Sequence, residues 1–384
     1  QDEKNLDVIA VVGEVGQEHE GLEQVKQRAL ETGAIDCIIA DMREDFAADY
    51  LSKALYANAN FENKYPLVSA LSRPLISKYL VDTAHKYGAK YVAHGCTGKG
   101  NDQVRFETSI QALDPTLEII APVREWDMHT RQEEMDWAEA HGVTVPTTKS
   151  KPYSIDDNLW GRAIECGHLE DPWNEPLDDA WVMTKNPEDT PDTPTYTEIE
   201  FEAGKPVAVD GKKMKLSEIV IALNKISGDN GFGRLDLVED RLVGLKSREC
   251  YEVPGALTLI TAHKALEDIC VEGDLLKTKI KLEQDWATAV YNGQWYSPLK
   301  NALDAFMADT QKFVTGTVRL KFFKGNCHVV GRKSPFSLYD YGLATYDRDT
   351  TFDEKASAGF IEIDTLSLKT WAKVQGPSSA AAQA

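Results

Sequence analysis

Between Asp7 and His141 the chain alternates short apolar runs with amphipathic ones, and this alternation most restricts what it can fold into. Strand-like segments at Asp7–Val12, Asp36–Ala40, Lys90–Ala93 and Leu117–Ala121 are interleaved with helical patterns at Gly21–Glu31, Asp45–Ala57, Pro74–Tyr87 and Arg131–His141. Parallel strands need a long crossover, which a helix supplies, so a βαβα order with short connections predicts an α/β fold with a doubly wound parallel sheet. In such sheets ligands sit beyond the carboxyl ends of the strands. The loop after Ala93 is therefore the first place to look for chemistry.

From about Pro146 the pattern changes. A loop rich in Lys, Pro and Asp leads to a helical reading of Asp156–Cys166, and a Pro/Thr/Asp segment spans Asn186–Pro194. A hairpin is predicted from Thr197–Glu202 and Pro206–Val209 about Ala203–Gly204, then a helix at Leu216–Ile226 and strands at Arg234–Glu239 and Arg241–Leu245. Helices follow at Gly255–Ile269, Leu275–Val290 and Pro298–Phe313. Val318–Phe323 and Cys327–Val330 flank Lys324–Gly325–Asn326, where Gly and Asn accept the positive φ of a tight hairpin turn. At 384 residues the chain exceeds what one core usually serves. The expected division is a doubly wound domain over 1–146, an α+β domain over 147–360, and a C-terminal helix with a tail over 361–384. The last residues, GPSSAAAQA, have no apolar periodicity and read as a disordered tail.

A formal charge of −20 repels nucleic acid and anionic membranes, and no Lys/Arg-rich run offers a local exception, so neither is expected as a partner. No apolar run reaches the roughly 18 residues that indicate a membrane helix. Cys37, Cys96, Cys166, Cys250, Cys270 and Cys327 form no CxxC pair and fall mostly in apolar segments, as reduced thiols in a cytoplasm would. The eight histidines show no metal-ligand spacing; no metal site is expected, and His94 is read as structural. A small phosphate-bearing ligand can still bind where backbone N–H groups and a few cations overcome the global field.

After Lys90–Ala93 the chain reads His94-Gly95-Cys96-Thr97-Gly98-Lys99-Gly100-Asn101-Asp102, and a helical pattern opens at Gln103. Between a strand and a helix, such a glycine-rich turn brings backbone N–H groups to an anion, with the positive end of the helix dipole behind it. It is not a Walker A loop, because Gly100 follows Lys99 where Ser or Thr is needed. By composition alone an ordinary tight turn explains it equally well, glycine being the default wherever φ must be positive. Asn101 and Arg105 are four apart and share a helical face, while Asp102 can cap the helix or accept an ammonium group. Thr97, Asn101, Asp102 and Arg105 offer hydroxyl, amide, carboxylate and guanidinium, the groups that hold amino acids by their charged ends. The plainer alternative is a capped helix with a surface arginine.

The run HGCTGKGNDQVRFE, His94–Glu107, resembles the longest shared stretch of the argininosuccinate synthase family. Other segments match in the same order: DVIAVVGEVGQ, YPLVSALSRPLI, IAPVREW, PYSIDDNLWGRAIE, GRLDLVEDRLVGLKSRECYEVPGA, WYSPLK and SLYDYGLATYD. The resemblance spans nearly the whole chain. It implies an N-terminal domain like the adenine nucleotide alpha hydrolases, a synthetase and multimerisation domain, and a C-terminal oligomerisation helix. It further implies ATP-dependent ligation of citrulline and aspartate to argininosuccinate through citrullyl-AMP, with Mg2+ carried on ATP, in a cytoplasmic homotetramer. Thr97, Asn101 and Asp102 would hold aspartate; Tyr65, Asn101, Arg105, Ser154, Glu239 and Tyr251 would hold citrulline; Gly13 and Gly95 would lie against ATP. Asp102 and Arg105 would matter most for catalysis. Taken singly, Tyr65 and Tyr251 also read as half-buried core tyrosines, and Glu239 as a partner of Arg241 or Arg248 on a strand surface.

Two features depart from the family pattern. The family opens with a strand and a Ser-Gly-Gly-Leu-Asp-Thr-Ser loop around the pyrophosphate of ATP, and nothing of that kind precedes Asp7, so this segment is expected to be missing from the chain. Ala70 and Ala163 stand where many members place a serine near citrulline, with Ser69, Ser72 or water as substitutes. Two rival readings follow. One is a truncated or non-catalytic relative that keeps amino-acid binding without ATP chemistry; the other is a different adenylating enzyme of the same superfamily, which would lack the segments from Pro152 to Ala256.

Overall fold

A computed structural model of the chain describes residues 4–17, 21–128, 131–143 and 153–377. Two compact units are present, Gln1–Phe336 and Ser337–Ala384. The first opens with β1 (Ile9–Glu14) and β2 (Asp36–Asp41), paired in parallel from Ile9 opposite Asp36 to Glu14 opposite Asp41, with helix Leu22–Glu31 as the crossover. β3 (Tyr91–Ala93) and β4 (Glu118–Ile120) form a second parallel pair, bridged by helix Asp102–Leu113. Helix Val68–Tyr87 packs along Asp102–Leu113. The parallel α/β character read from the alternation is therefore present, arranged as two parallel pairs.

The remainder of this unit is antiparallel. β5 (Ser154–Asn158), β6 (Gly161–Glu165), β10 (Arg234–Asp240) and β11 (Lys246–Glu252) make a sheet in the order β10-β11-β6-β5. β7 (Thr195–Glu202), β8 (Lys205–Val209), β9 (Lys212–Lys213), β12 (Gly316–Phe323) and β13 (Asn326–Lys333) make another, in the order β13-β12-β7-β8-β9. Helices Leu216–Asp229, Pro254–Cys270, Gly273–Tyr291 and Pro298–Thr310 complete it. The hairpin predicted about Lys324–Gly325–Asn326 forms, with the positive φ on Lys324 (47°) and Gly325 (78°), while Asn326, expected to share it, opens β13 instead. The largest apolar cluster joins Phe46, Leu51, Leu55 and Leu71 to Ile199, Phe201, Leu223 and Leu259, so one core runs beneath both halves.

Three local expectations are corrected. Asp156–Cys166 is not helical but carries the β5/β6 hairpin. Asn158 makes the turn by accepting from Trp160 N at 2.8 Å while donating to Val68 O at 2.8 Å, and Trp160 Nε1 donates to Pro66 O at 2.8 Å. A Cβ on Gly161 would lie 2.6 Å from Glu252 O, so the hairpin is clasped against β11 by contacts remote in sequence. Arg241–Leu245, expected as a strand, is the turn between β10 and β11, closed by Arg241 N to Leu245 O at 2.9 Å, with Gly244 at φ 85°. The helix expected from Pro74 begins at Val68 and carries Pro74 inside it, because the turn before the proline is deeply buried.

The second unit holds helices Ala356–Asp364 and Leu366–Gln375. Phe360, Ile363, Leu368, Trp371 and Val374 on these helices are exposed. Most of the expected tail lies outside the described residues. No helix among the described residues is long and apolar enough to cross a membrane, and all six cysteines are free thiols.

Candidate active site

The glycine-rich turn is laced by its own helix. His94 N continues the β3/β4 ladder by donating to Ile120 O at 3.1 Å. Gln103 Nε2 reaches back to Gly98 O at 2.6 Å and Gly100 O at 3.1 Å. His94 Nδ1 accepts from Cys96 N at 3.3 Å, so Nε2 carries the proton and faces Glu107 at 3.1 Å, a structural role.

Asn101 and Asp102 open the helix without the side-chain cap considered from the sequence. Asn101 spends its amide across the molecule: Nδ2 donates to Tyr291 Oη at 2.9 Å, and Oδ1 accepts from Leu242 N at 3.0 Å. Asp102 accepts from Arg73 Nε at 2.8 Å through one oxygen and from Arg105 Nη1 at 2.9 Å through the other. Burial pushes this carboxyl up, but the two guanidinium groups outweigh it and hold it at about 2. Arg105 is 4% exposed, with Nε donating to Tyr291 O at 3.0 Å, so it is no surface arginine. Arg73 also bonds Asp156, tying β5 to the same centre.

The facing wall comes from the antiparallel sheet. Alternation along β11 puts Glu249 and Tyr251 on one face, and Tyr251 stands opposite both Leu235 of β10 and Ala163 of β6. Tyr251 Oη donates toward Glu239, with Glu249 Oε2 2.6 Å away. Burial and the neighbouring Glu249 push Glu239 up to about 7. Arg241 bonds Glu165 and Glu249, the latter at 2.9 Å, and its Nε is buried without a partner. Arg248 pairs instead with Asp236 at 2.6 Å, so neither surface pairing considered for Glu239 forms. Tyr65 and Tyr251 are buried rather than half-buried, stacked with ring centroids 4.6 Å apart.

Between these walls lies a cavity of ≈ 250 Å³. Tyr65, Gly95, Thr97, Asn101, Asp102, Arg105, Ser154, Glu239 and Tyr251, all singled out from the sequence, line it. Gly13 does not; it sits on β1, where an added Cβ would meet Met42 Sδ at 3.1 Å. At Gly95 an added Cβ would meet nothing within 4 Å, leaving open space beside that backbone. Ala163 and Ser69 line the cavity, whereas Ala70 is packed in the core. Sequence reasoning missed Asp156, Glu165, Arg241 and Glu249, all in the lining, and also Arg73 and Tyr291 behind it. The period-2 pattern of β11 could have flagged Glu249; no local signal marks the others.

Residues 1–144 match the family model of the arginosuccinate synthase N-terminal HUP domain, and residues 153–371 match that of the arginosuccinate synthase C-terminal domain. The chain belongs to the argininosuccinate synthase family. Argininosuccinate synthase of Streptococcus gordonii is 52% identical over 372 residues, covering 97% of this chain and 93% of its own. That of Bacillus licheniformis is 53% identical over 373 residues, 97% and 92%, and that of Symbiobacterium thermophilum is 52% identical over 371, again 97% and 92%. Membership makes this an enzyme of the ligase class, nucleotide-binding through its HUP domain and tied to arginine biosynthesis.

Proposed function

We propose that this argininosuccinate synthase family member joins citrulline to aspartate through a citrullyl-AMP intermediate. The ureido oxygen of citrulline attacks the α-phosphate of ATP, forming a P–O bond and releasing pyrophosphate. The aspartate amine then attacks the activated carbon, AMP departs with the electron pair, and the amine loses a proton. No side-chain nucleophile is needed; positioning and charge stabilisation supply the rate.

The observation that supports this reading best is the cavity itself, where ionised Asp102 and buried Arg105 face the Glu239–Tyr251 wall. In this reading Asp102, with Thr97 and Asn101, takes the ammonium end of aspartate, while Asn101 also meets citrulline and Arg105 takes a carboxylate of citrulline. Tyr65, Ser154, Glu239 and Tyr251 hold the rest of citrulline. The open space at Gly95 suits a nucleotide edge, and Mg2+ would arrive on the phosphates of ATP. Gly13, packed on Met42, would support the nucleotide through β1. We read the chain as domains 1–146 and 147–360 with an oligomerisation segment at 361–384, in a cytoplasmic homotetramer; the exposed apolar residues of Ala356–Asp364 and Leu366–Gln375 support that assembly.

Pyrophosphate release with ATP, magnesium, citrulline and aspartate tests the reaction. Release that needs citrulline is expected. No release, with citrulline still binding by calorimetry, would favour an amino-acid binder without ATP chemistry. Arg105→Ala should raise the citrulline KM or lower kcat; if both stayed unchanged, its assigned role would be wrong.

A further inference from the structure

Tyr291 is the last residue of helix Gly273–Tyr291, is 1% exposed, and does not line the cavity. Its contacts nevertheless converge on the residues that do. Its hydroxyl accepts from Asn101 Nδ2 at 2.9 Å and donates to Glu239 Oε2 at 3.0 Å. Its carbonyl accepts from Arg105 Nε at 3.0 Å, and the Arg105 guanidinium lies 4.8 Å from its ring centroid. Tyr65 meets the ring edge-on at 6.1 Å, and Phe61 stacks on it at 3.6 Å with planes 5° apart. The chain then turns at Gly293, where a Cβ would lie 2.8 Å from Arg105 Cα. Side chains that pack this closely hold one rotamer, so the phenol is a fixed point to which both cavity walls are bonded.

We propose that Tyr291 is a positioning residue for the citrulline half of the site, holding Asn101 and Arg105 of one wall at fixed distance from Glu239 of the other. The inference rests on the reaction proposed above. The hydroxyl does two jobs at once. As an acceptor it orients Asn101 so that Oδ1 faces Leu242 N. As a donor it favours the ionised form of Glu239, along with Tyr251 and Arg105, against burial and Glu249. Removing the hydroxyl therefore changes both a distance and a titration. A merely structural tyrosine would change neither.

The test is Tyr291→Phe in the full chain, assayed by pyrophosphate release against pH. The expected result is a citrulline KM raised about tenfold with the ATP KM unchanged, and a rise of kcat/KM for citrulline that begins at higher pH than in the parent. Phe61→Leu, which removes the stacked ring but keeps the hydroxyl, should raise the citrulline KM by a smaller factor and leave the pH profile in place. Unchanged citrulline KM and pH profile in Tyr291→Phe would overturn the inference, even with a lowered melting temperature. If that variant does not fold, unchanged citrulline KM in Phe61→Leu overturns it instead. An inactive parent enzyme is a different result, because it defeats the reaction reading and not the geometry.

Discussion

Two clusters in the first unit set glutamates around one long cationic side chain, to opposite ends. Outside the cavity lining, Asn58, His263, Glu267, Lys279, Glu283 and Gln311 are each at most 3% exposed and bonded to one another. Lys279 Nζ sits 2.6 Å from Glu283 and 3.0 Å from Glu267, and Asn58 Nδ2 donates to both carboxylates at 2.8 and 2.6 Å. At the cavity, Glu165 and Glu249 both bond Arg241, whose Nε has no partner, and Glu239, bonded to Tyr251 and Tyr291, is pushed up to about 7 by burial and by Glu249. The first cluster closes on itself and joins Asn58 to three helical segments. The second is left with more negative charge than its own cation balances, and that excess faces open space. A charged cluster announces a site when its bonding capacity is unspent, not when it is merely buried.

The comparison breaks first at Lys279. Lys279→Met would strand Glu267 and Glu283 in the core, and the expected loss is about 3–5 kcal/mol of unfolding free energy by urea titration. A variant as stable as the parent would mean that the closed cluster is not closed.

Glu239→Gln should do the reverse. A carboxyl whose folded pKa is raised contributes stability that is present below about pH 4.5 and lost as pH rises through about 7. The amide escapes that loss, so at pH 8 the variant is expected to be about 1–3 kcal/mol more stable than the parent. Its citrulline KM should rise at least about tenfold. Loss of both stability and binding would place Glu239 with the structural cluster.

Asp102 gives a smaller effect with the opposite pH sign. Its lowered pKa contributes stability that is present above about pH 3.8 and lost as pH falls through about 2. Asp102→Asn should thus cost about 1–2 kcal/mol at pH 7, a margin that shrinks toward zero near pH 2, as followed by acid-dependent unfolding.

How far these clusters were legible in the sequence follows from the range of the contacts that make them. The parallel pairs, the Gly325 hairpin and most helices of the second half are local patterns, and they stand where periodicity and turn chemistry put them. The Asp156–Cys166 segment misled because its hairpin is decided by Val68, Pro66 and Glu252, none of which is near it in sequence. At the site, Thr97 lies in the glycine-rich loop and Asn101, Asp102 and Arg105 at the start of the helix that follows it, so the four could be read together. Tyr65, Ser154, Glu239 and Tyr251 entered only through the family resemblance. Arg73 and Tyr291 act by bonding residues 29 and 190 positions away, and no window along the chain contains such a pair.

The smallest effect concerns a proton in the closed cluster. Burial pushes His263 below its ordinary value, toward the neutral ring, while Glu267, 3.8 Å from Nδ1, pulls it back up. The bonding pattern decides between them. Asn58 gives both amide hydrogens to carboxylates, so its oxygen must face His263 Nδ1 at 2.7 Å. Gln311 gives its hydrogens to Glu267 at 2.8 Å and Thr310 at 2.9 Å, so its oxygen must face Nε2 at 2.8 Å. Turning either amide over would set its oxygen against a carboxylate. A neutral imidazole would set a ring lone pair against an amide oxygen, leaving a buried bond unmade at a cost of about 1–3 kcal/mol. With both nitrogens protonated, His263 and Lys279 balance Glu267 and Glu283, and the cluster carries no net charge. Nitrogen NMR of histidine-labelled protein at pH 7 is expected to show two protonated ring nitrogens on His263. A single protonated nitrogen would mean that one amide is reversed and that the closed cluster, like the open one, carries excess negative charge.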